Sequence, residues 1–170
     1  MDFEKLCEER YSLRKFSERP VEEEKLRKIL EAGRNAPTAK NLQPHRIFVA
    51  NSPEALEKVD ACTTCHFHPP VVLIAAYDAD AAWKREADGK NHGEIDTALA
   101  VSQMMLQAAE LGLGTTYIGM FSPEKLLEAF PQMKGLTPIA LLPLGYPRED
   151  AHPSRLHRER RPMEEFVTFL

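Results

Sequence analysis

A continuous apolar run over residues 70–77 constrains the fold of this chain more than any other feature. The run reads Pro-Val-Val-Leu-Ile-Ala-Ala-Tyr and lacks the alternation of apolar and polar residues that marks a strand with one wet face. It therefore predicts a β-strand that is covered on both faces. A strand of this kind needs helices on either side of it.

The segment over residues 95–111 predicts a long helix that can supply one of these layers. Leucine, valine and methionine side chains occupy most of its circumference, with four alanines between them. A helix that is apolar nearly all round is buried in its own core or in a subunit interface. The glycines at 112 and 114 are expected to end it.

Helix and strand patterns alternate along the rest of the chain. An amphipathic helix is predicted over residues 21–34 and ends before Pro37. The other predicted elements are a strand at 46–49, a helix from 52 to 59, a strand at 115–118, a helix from 122 to 130 and a strand at 137–145. Pro143 cannot donate to a ladder, so we expect an edge position or a bulge there. The alternation lacks a regular βαβ rhythm and favours an α+β fold.

Length and charge bound the class of protein. The 170 residues predict a single domain over 1–170, and a net charge of −4 argues against general affinity for nucleic acid. No stretch is apolar enough for a membrane span or a signal segment, so we expect a cytoplasmic protein. In that reducing compartment Cys7, Cys62 and Cys65 are expected to be thiols.

Arg10, Ser12 and Arg14 form the first candidate binding motif, at positions i, i+2 and i+4. If the segment is extended, its side-chain period of two turns all three to one side. Two guanidiniums that flank a hydroxyl suit a phosphate monoester or the polar edge of a flavin ring. The alternative is a set of solvated arginines in a segment of mixed charge.

Two further segments carry candidate polar contacts. In the loop over residues 37–44, Asn41 and Gln43 each offer a carbonyl acceptor and an amide donor, which suit the edge of a pyrimidine ring. In the tail over residues 155–162, Arg158 and Arg160 share a face if the chain is extended, and they offer a second pair of phosphate donors. The alternatives are a surface loop of turn-forming residues and a solvated basic tail.

The run Cys62-Thr-Thr-Cys65-His66 matches the pattern of c-type haem attachment, and His68 follows it. Attachment of that kind accompanies export, for which the N-terminus carries no signal. A zinc site with four ligands in seven residues differs from the usual split pairs. We therefore expect an accidental match, and a metal or haem site remains the alternative.

Familiar catalytic motifs of side chains are absent from the sequence. Neither G-x-S-x-G nor H-E-x-x-H occurs, and the Gly112-Leu113-Gly114 run follows a helix instead of opening one. Glu94 and Asp96 are typical of acids at a helix start. A cofactor that carries the chemistry itself would account for such an enzyme.

Taken together, these segments resemble the nitroreductase family of FMN-dependent oxidoreductases. Residues 10–16 resemble the family's R-x-S-x-R-x-F, and residues 36–45 resemble its A-P-[ST]-[AS]-x-N-x-Q-P-[WH] loop. Residues 96–105, 111–115, 117–119 and 144–147 follow in the family's order, and Arg158-x-Arg160-Arg161-Pro162 is similar to its terminal basic motif. The similarity covers nearly the whole chain.

The resemblance implies a three-layer α-β-α fold with a mixed, mainly antiparallel central sheet. It also implies a homodimer with exchanged C-terminal tails, in which FMN lies at the subunit interface. The apolar helix at 95–111 would then be the central dimer helix.

The resemblance also assigns cofactor contacts. Arg10 and Ser12 would contact the phosphate and ribityl chain, and Arg14 would contact the N1/O2 side of the ring. The segment 118–119 would approach the ring near N5, and the tail arginines would close on the phosphate. The loop residues from 38 to 43 would come from the other subunit. The complete expected set is Arg10, Tyr11, Ser12, Arg14, Pro37, Thr38, Ala39, Asn41, Gln43, Tyr117, Ile118, Gly119, Arg158 and Arg160.

The implied reaction is ping-pong, in which NADH or NADPH gives hydride to the flavin, leaves, and is replaced by a small oxidant such as a nitroaromatic or a quinone. No side chain is expected to act as acid or base, and no metal is expected. The alternative is a flavin-binding carrier or sensor without turnover. The chain is short for the family, and only residues 78–93 leave room for the helical insertion that covers the pocket in larger relatives.

Overall fold

The computed structural model describes residues 2–170, in which helices surround a four-stranded sheet. The helices are α1 (Phe3–Glu9), α2 (Glu23–Arg34), α3 (Pro53–Asp60), α4 (Gly93–Glu110), α5 (Pro123–Ala129) and α6 (Met163–Phe166). The strands are β1 (His45–Ala50), β2 (Val71–Tyr77), β3 (Gly114–Thr115) and β4 (Thr137–Gly145). Short 3-10 turns occur at Ala39–Asn41, Pro131–Met133 and Arg155–Arg158. The predicted helices and strands are all present, with ends shifted by a few residues.

The sheet has the strand order β1-β2-β4-β3, and each neighbouring pair is antiparallel. A parallel bridge joins Ser12 to Thr115 at the outer side of β3. This combination confirms the prediction of a mixed, mainly antiparallel sheet in an α+β fold.

Strand β2 is buried on both faces, as its apolar run predicts. Val71, Leu73 and Ala75 belong to a core with α2 and α4, whereas the alternate residues belong to a second core with α3 and α5. Every residue from 71 to 76 is at most 4% exposed. The sheet is therefore the middle layer of three.

The prediction that Pro143 lies at an edge position or a bulge is wrong. Strand β4 lies inside the sheet, and the irregularity in its pairing with β2 falls between Ala75 and Ala76. The pairs that join Thr115 to Leu144 and Ile118 to Leu141 share one register, in which residue 116 faces Pro143. Because proline has no N–H to donate, the ladder breaks there, and the strand predicted at 115–118 shortens to two residues.

Helix α4 is the longest helix and is only partly covered. Val101, Met104 and Ala108 are fully buried against α2 and the sheet. On its outer side Ile95 and Leu99 remain 40% and 44% exposed. An apolar strip of α4 therefore faces away from the protomer's core. Within residues 2–170, no helix combines the length and the hydropathy that crossing a membrane requires.

A polar cluster around Tyr146 ties the start of α2 to the ends of β4 and α4. The hydroxyl of Tyr146 donates to Glu22 Oε2 at 2.6 Å and accepts from Lys25 Nζ at 2.8 Å. Lys25 also donates to the carbonyl of Leu111 at 2.9 Å, and the guanidinium of Arg19 lies 3.9 Å above the Tyr146 ring. The hydrogen bond from Tyr146, with smaller help from Arg19, lowers the pKa of Glu22 to about 2.

We expect Tyr146→Phe to raise the pKa of Glu22 from about 2 towards its ordinary value of 4.5, because the largest cause of the shift is removed. A carboxylate whose folded pKa is depressed stabilises the fold above the unfolded pKa and loses this contribution as pH falls through the folded pKa. Glu22 should therefore stabilise the variant less at neutral pH, and what remains of its contribution should be lost at a higher pH than in the unsubstituted protein. NMR titration of Glu22 measures the shift, with Tyr117→Phe as the control. An unchanged titration curve would contradict the assignment.

Candidate functional site

Residues 10–14 run as an extended segment beside β3. The N–H of Leu13 donates to the carbonyl of Thr115 at 2.9 Å, and the Leu13 side chain is 1% exposed. A Cβ at position 114 would lie 2.3 Å from Leu13 Cδ2, so glycine there permits this close approach. Leu13 thus anchors the segment in the core, between Ser12 and Arg14.

Arg10, Ser12 and Arg14 line one cavity of about 270 Å³, and Tyr11 between them lines it as well. The tail supplies the opposite wall, where His157 and Tyr11 meet edge to face with ring centroids 6.1 Å apart. The complete lining is Arg10, Tyr11, Ser12, Arg14, Ser154, Leu156, His157 and Arg160. Sequence reasoning missed Ser154, Leu156 and His157, whose only signal was their closeness to the basic motif.

The cavity carries concentrated positive charge. Three arginines line it, and no carboxylate of the described residues does. Nη1 of Arg10 is buried and has no hydrogen-bond partner, while Nη1 of Arg14 donates to the Ser12 carbonyl at 3.2 Å. Nη1 of Arg160 donates to two backbone carbonyls, each at 2.7 Å. Free charged donors around a hydroxyl suit an anion with several oxygens, such as a phosphate group.

Four arginines elsewhere in this protein are neutralised by neighbouring carboxylates. Salt bridges occupy Arg19, Arg34, Arg85 and Arg148. In residues 2–170, the three arginines of the cavity form none. Arg27, Arg46, Arg155, Arg158 and Arg161 also lack a salt bridge among the described residues. What distinguishes the cavity is that three arginines line it together and no carboxylate of the described residues does.

Arg158 lies in a second, larger cavity of about 740 Å³ beside the first. Glu8 and Glu9 line it together with Arg155, Arg158 and Arg160. The 3-10 turn over Arg155–Arg158 replaces the extended conformation in which Arg158 and Arg160 would share a face. Arg160 borders both cavities, whereas Arg158 lines only the larger one.

The loop at residues 37–43 stores backbone strain. Lys40, Asn41 and Gln43 have φ angles of 52°, 54° and 51°, in the left-handed region that side chains other than glycine rarely adopt. The N–H of Gln43 donates to Thr38 Oγ1 at 3.1 Å, and its side-chain amide donates to the Asn41 carbonyl at 3.1 Å. Clustered strain of this kind is typical of ligand-binding loops.

Asp96 of α4 anchors this loop. Its Oδ1 accepts the N–H of Ala39 at 3.0 Å, and its Oδ2 is buried without a partner. His45 lies close by, and burial, followed by the charge of Arg46, lowers its pKa, whereas Asp96 acts in the opposite direction. Sequence reasoning treated Asp96 as a helix-start acid. Only the fold brings Ala39 to it across 57 residues.

Residues 117–119 form a third part of the candidate site. Ile118 is buried and exchanges both backbone hydrogen bonds with Leu141, at 2.9 and 3.0 Å. Gly119 is exposed, and Tyr117 is 42% exposed. Burial, and then the charge of Glu94, raises the pKa of Tyr117. The segment therefore approaches the surface next to the first turn of α4.

The strained loop and the arginine cavity lie at opposite ends of α4. Asp96 in its first turn holds the loop, whereas Arg10 packs near Ala109 and Gly112 at its end. The 18 residues of α4 span about 27 Å at the α-helical rise. One protomer therefore does not bring the two polar groups together around one small ligand.

The Cys62–His68 segment forms hydrogen bonds with the residues that follow the third part of the site. Thr63 Oγ1 donates to the Met120 carbonyl at 2.5 Å, and the N–H of Ser122 donates to the Cys62 carbonyl at 2.8 Å. The thiol of Cys62 donates to the Lys58 carbonyl at 3.1 Å, and burial raises its pKa. His66 pairs with Asp60 at 2.9 Å. Across residues 2–170, no three His, Cys, Asp or Glu side chains converge as a metal site would require.

Comparison with known proteins identifies relatives of this arrangement. The family model for the nitroreductase family matches residues 7–66 and 64–146. The crystal structure of a nitroreductase family protein from Clostridium difficile 630 aligns with a TM-score of 0.91 at 36% identity, covering 99% of this chain and 98% of that one. FMN reductase (NAD(P)H) of Bacillus subtilis is 28% identical over 87% of this chain and 67% of its own length.

A further structure shares the fold. A protein from Exiguobacterium sibiricum 255-15, solved in complex with FMN, aligns with a TM-score of 0.85 at 22% identity. The alignment covers 100% of this chain and 98% of that chain. The three-layer arrangement described above is therefore found in a protein that holds FMN.

We expect Asp96→Ala to loosen the strained loop, because the N–H of Ala39 loses a charged acceptor worth about 1.5–3 kcal/mol. Hydrogen exchange measured by mass spectrometry on a peptide covering residues 36–43 should accelerate by about tenfold or more. Asp96→Asn keeps an acceptor oxygen and should change exchange less. Glu94→Ala, an exposed acid of the same helical turn, is the control. Equal exchange in Asp96→Ala and in the control would refute the anchoring role.

Proposed function

This chain belongs to the nitroreductase family, and from that premise we propose that it is an FMN-dependent oxidoreductase that passes electrons from NADH or NADPH to a small oxidant. The observation that carries the proposal is the cavity in which Arg10, Arg14 and Arg160 surround Ser12 and which no carboxylate of the described residues lines. The names of the relatives support the same cofactor and electron donors.

The residues of this cavity fit the phosphate end of FMN. The buried and unpartnered Nη1 of Arg10 lacks an acceptor that a phosphate oxygen would supply. Ser12 offers a hydroxyl beside it, and Arg160 closes the opposite wall. A volume of about 270 Å³ is at the lower limit of ordinary ligand pockets. We therefore assign to this cavity the phosphate and ribityl chain but not the whole cofactor.

The ring would lie where a second subunit completes the site. We propose a homodimer in which the exposed strip of α4, with Ile95 and Leu99, packs antiparallel against its copy. Such packing would bring the strained loop of one protomer, at the start of its α4, to the arginine cavity at the end of the partner's α4. Thr38, Ala39, Asn41 and Gln43 would then face the ring, and we propose that Tyr117, Ile118 and Gly119 also approach it.

The C-terminal end offers a second contact between the two protomers. Residues 155–160 lie against the N-terminal segment of their own protomer, but the chain beyond them has little cover. Phe166 and Phe169 are 80% and 95% exposed. We propose that this last segment crosses onto the partner, where burial of two phenylalanines would add to the apolar contact of α4.

Bound FMN would supply the chemistry of accepting hydride from NAD(P)H and passing electrons to the oxidant. The chain's own residues bind and orient the reactants. Arg14 would place positive charge at the polar edge of the ring and favour negative charge there. No side chain of the site is required as an acid or a base. We propose that donor and oxidant use the same opening in turn, in a ping-pong reaction. A nitroaromatic or a quinone is the proposed oxidant.

Removal of the phosphate contacts should weaken FMN binding. Arg10→Ala and Arg160→Ala should each cost about 1.5–3 kcal/mol, or roughly 10- to 150-fold in Kd, because each deletes a charge-assisted contact. Titration of the apoprotein with FMN, followed by flavin fluorescence, measures this change. Arg161→Ala, an exposed arginine of the same tail, should leave the Kd within about twofold.

Reduction of the flavin in the unsubstituted protein tests whether the chain is an enzyme. Under anaerobic conditions NADH or NADPH should bleach its bound flavin. An oxidised spectrum that persists would indicate a carrier or sensor, and FMN affinity that is unchanged in both arginine variants would remove the assigned phosphate site.

Disruption of the α4 strip should separate the subunits and abolish tight FMN binding together. We expect Leu99→Asp to sediment as a monomer in analytical ultracentrifugation, because a buried unpaired carboxylate is costly at a dimer interface. Its FMN affinity should fall by at least tenfold, since half of the proposed contacts leave with the partner. Ala61→Asp, at an exposed position behind the opposite face of the sheet, should remain dimeric. A Leu99→Asp monomer with normal FMN affinity would refute a shared site.

A further inference from the structure

The segment between β2 and α4 is a hydrogen-bonded hairpin in which no helix forms. The N–H of Arg85 donates to the Lys90 carbonyl, and the N–H of His92 donates to the Trp83 carbonyl, each at 2.9 Å. At its base a Cβ on Gly93 would lie 2.1 Å from the ring of Tyr77, so the hairpin closes tightly against the end of β2. Its side chains are therefore held on a fixed frame.

The hairpin presents an aromatic surface to the strained loop. The rings of Trp83 and His92 have centroids 4.6 Å apart at an angle of 58°, within the range of attractive aromatic pairs. Nζ of Lys40 lies 5.9 Å from the centroid of the Trp83 ring, at the outer limit of a cation–π contact. Trp83 is half-buried, so part of the indole remains open.

Lys40 combines an unusual backbone conformation with an unpaired charge. Its φ of 52° places lysine in a strained conformation, at a position where glycine would be unstrained. Lys40 forms no salt bridge with any residue of the 2–170 range, whereas Lys5, Lys15, Lys28 and Lys58 do. The same lack of a salt bridge within that range is found for Lys25, Lys84, Lys90, Lys125 and Lys134. The ammonium group is exposed and is free to meet an anionic group of a ligand.

Lys40 and Trp83 lie where an oxidant would approach the proposed FMN ring. Lys40 stands between Ala39 and Asn41, two residues proposed to border the FMN ring. A molecule that touches both Lys40 and Trp83 would therefore lie at the outer border of that ring. We infer that Trp83 and Lys40 form the oxidant-selecting wall of the site, which favours planar, electron-poor aromatic oxidants that carry a negative charge. The inference rests on the proposed function.

The physical basis is complementarity of ring and charge. The indole face is rich in electrons and attracts both cations and electron-poor rings. A carboxylate on the oxidant would pair with the Lys40 ammonium while its ring stacks on the open part of Trp83. An oxidant of the same shape without the charge would keep the stacking and lose the pairing.

Trp83 is the only tryptophan of the chain, so its fluorescence reports on this wall directly. FMN-loaded protein is titrated with 4-nitrobenzoate and, separately, with the uncharged 4-nitrobenzamide, with N-acetyltryptophanamide as the correction for absorption. We expect saturable quenching by both compounds, with tighter binding of the nitrobenzoate. Lys40→Gln and Lys40→Gly should each raise the Kd for nitrobenzoate about three- to tenfold and change the Kd for nitrobenzamide less than twofold.

Two further variants complete the experiment. Lys84→Gln removes an exposed lysine from the same hairpin and should leave both Kd values unchanged. Trp83→Leu, followed by steady-state kinetics because it lacks the fluorophore, should raise KM for both nitro compounds about threefold or more, and Trp83→Tyr should restore most of the loss. The glycine variant relieves strain at position 40, so a folding defect does not obscure the result.

The outcomes separate this inference from the proposed function. FMN uptake is measured by absorbance on each sample, and unsubstituted protein that takes up no FMN overturns the proposed function. Three results obtained with normal FMN uptake would overturn the oxidant wall alone. They are quenching that does not saturate, equal changes in the Kd values of both nitro compounds in the Lys40 variants, and equal effects of Lys40→Gln and Lys84→Gln. Normal KM values in Trp83→Leu overturn the stacking part.

Discussion

Burial of β2 on both faces is the constraint on which the rest of the structure depends. Each large apolar side chain that is fully removed from water stabilises the fold by about 1.5–3 kcal/mol, and Leu73 and Ile74 point to opposite faces. The strand can obtain this stabilisation only if helices cover both faces. Helices α2 and α4 on one side, and α3 and α5 on the other, are arranged accordingly. The loops that join these layers carry the candidate site.

Helix α4 links this packing to function because it serves two surfaces. Its inner side completes one core, and its outer strip, with Ile95 and Leu99, lacks a cover within the protomer. Its two ends hold different halves of the polar machinery, about 27 Å apart by the helical rise. A second copy packed antiparallel is the simplest arrangement that covers the strip and joins the halves. Stability of the dimer and formation of the site would then have the same cause.

The candidate site contains an unpaired charged donor and strained backbone, both of which are unfavourable by themselves. Arg10 leaves a buried donor unfilled, and Lys40, Asn41 and Gln43 hold costly backbone conformations. The surrounding structure maintains both: Leu13 in the core fixes the arginine segment, and Asp96 holds the loop through the N–H of Ala39. Such features persist in a folded protein when a ligand benefits from them. They support the proposal that ligands bind at the ends of α4.

The sequence by itself determined the layers, because a continuous apolar run and helical periodicity depend only on neighbours along the chain. It also predicted that Arg10, Ser12 and Arg14 share a side, since that follows from the period of an extended strand. Only the tertiary structure decided the interior position of Pro143, the anchoring of Ala39 by Asp96, and the meeting of Trp83 with Lys40. These features join residues distant in sequence, and no local pattern encodes which distant partner a side chain will meet.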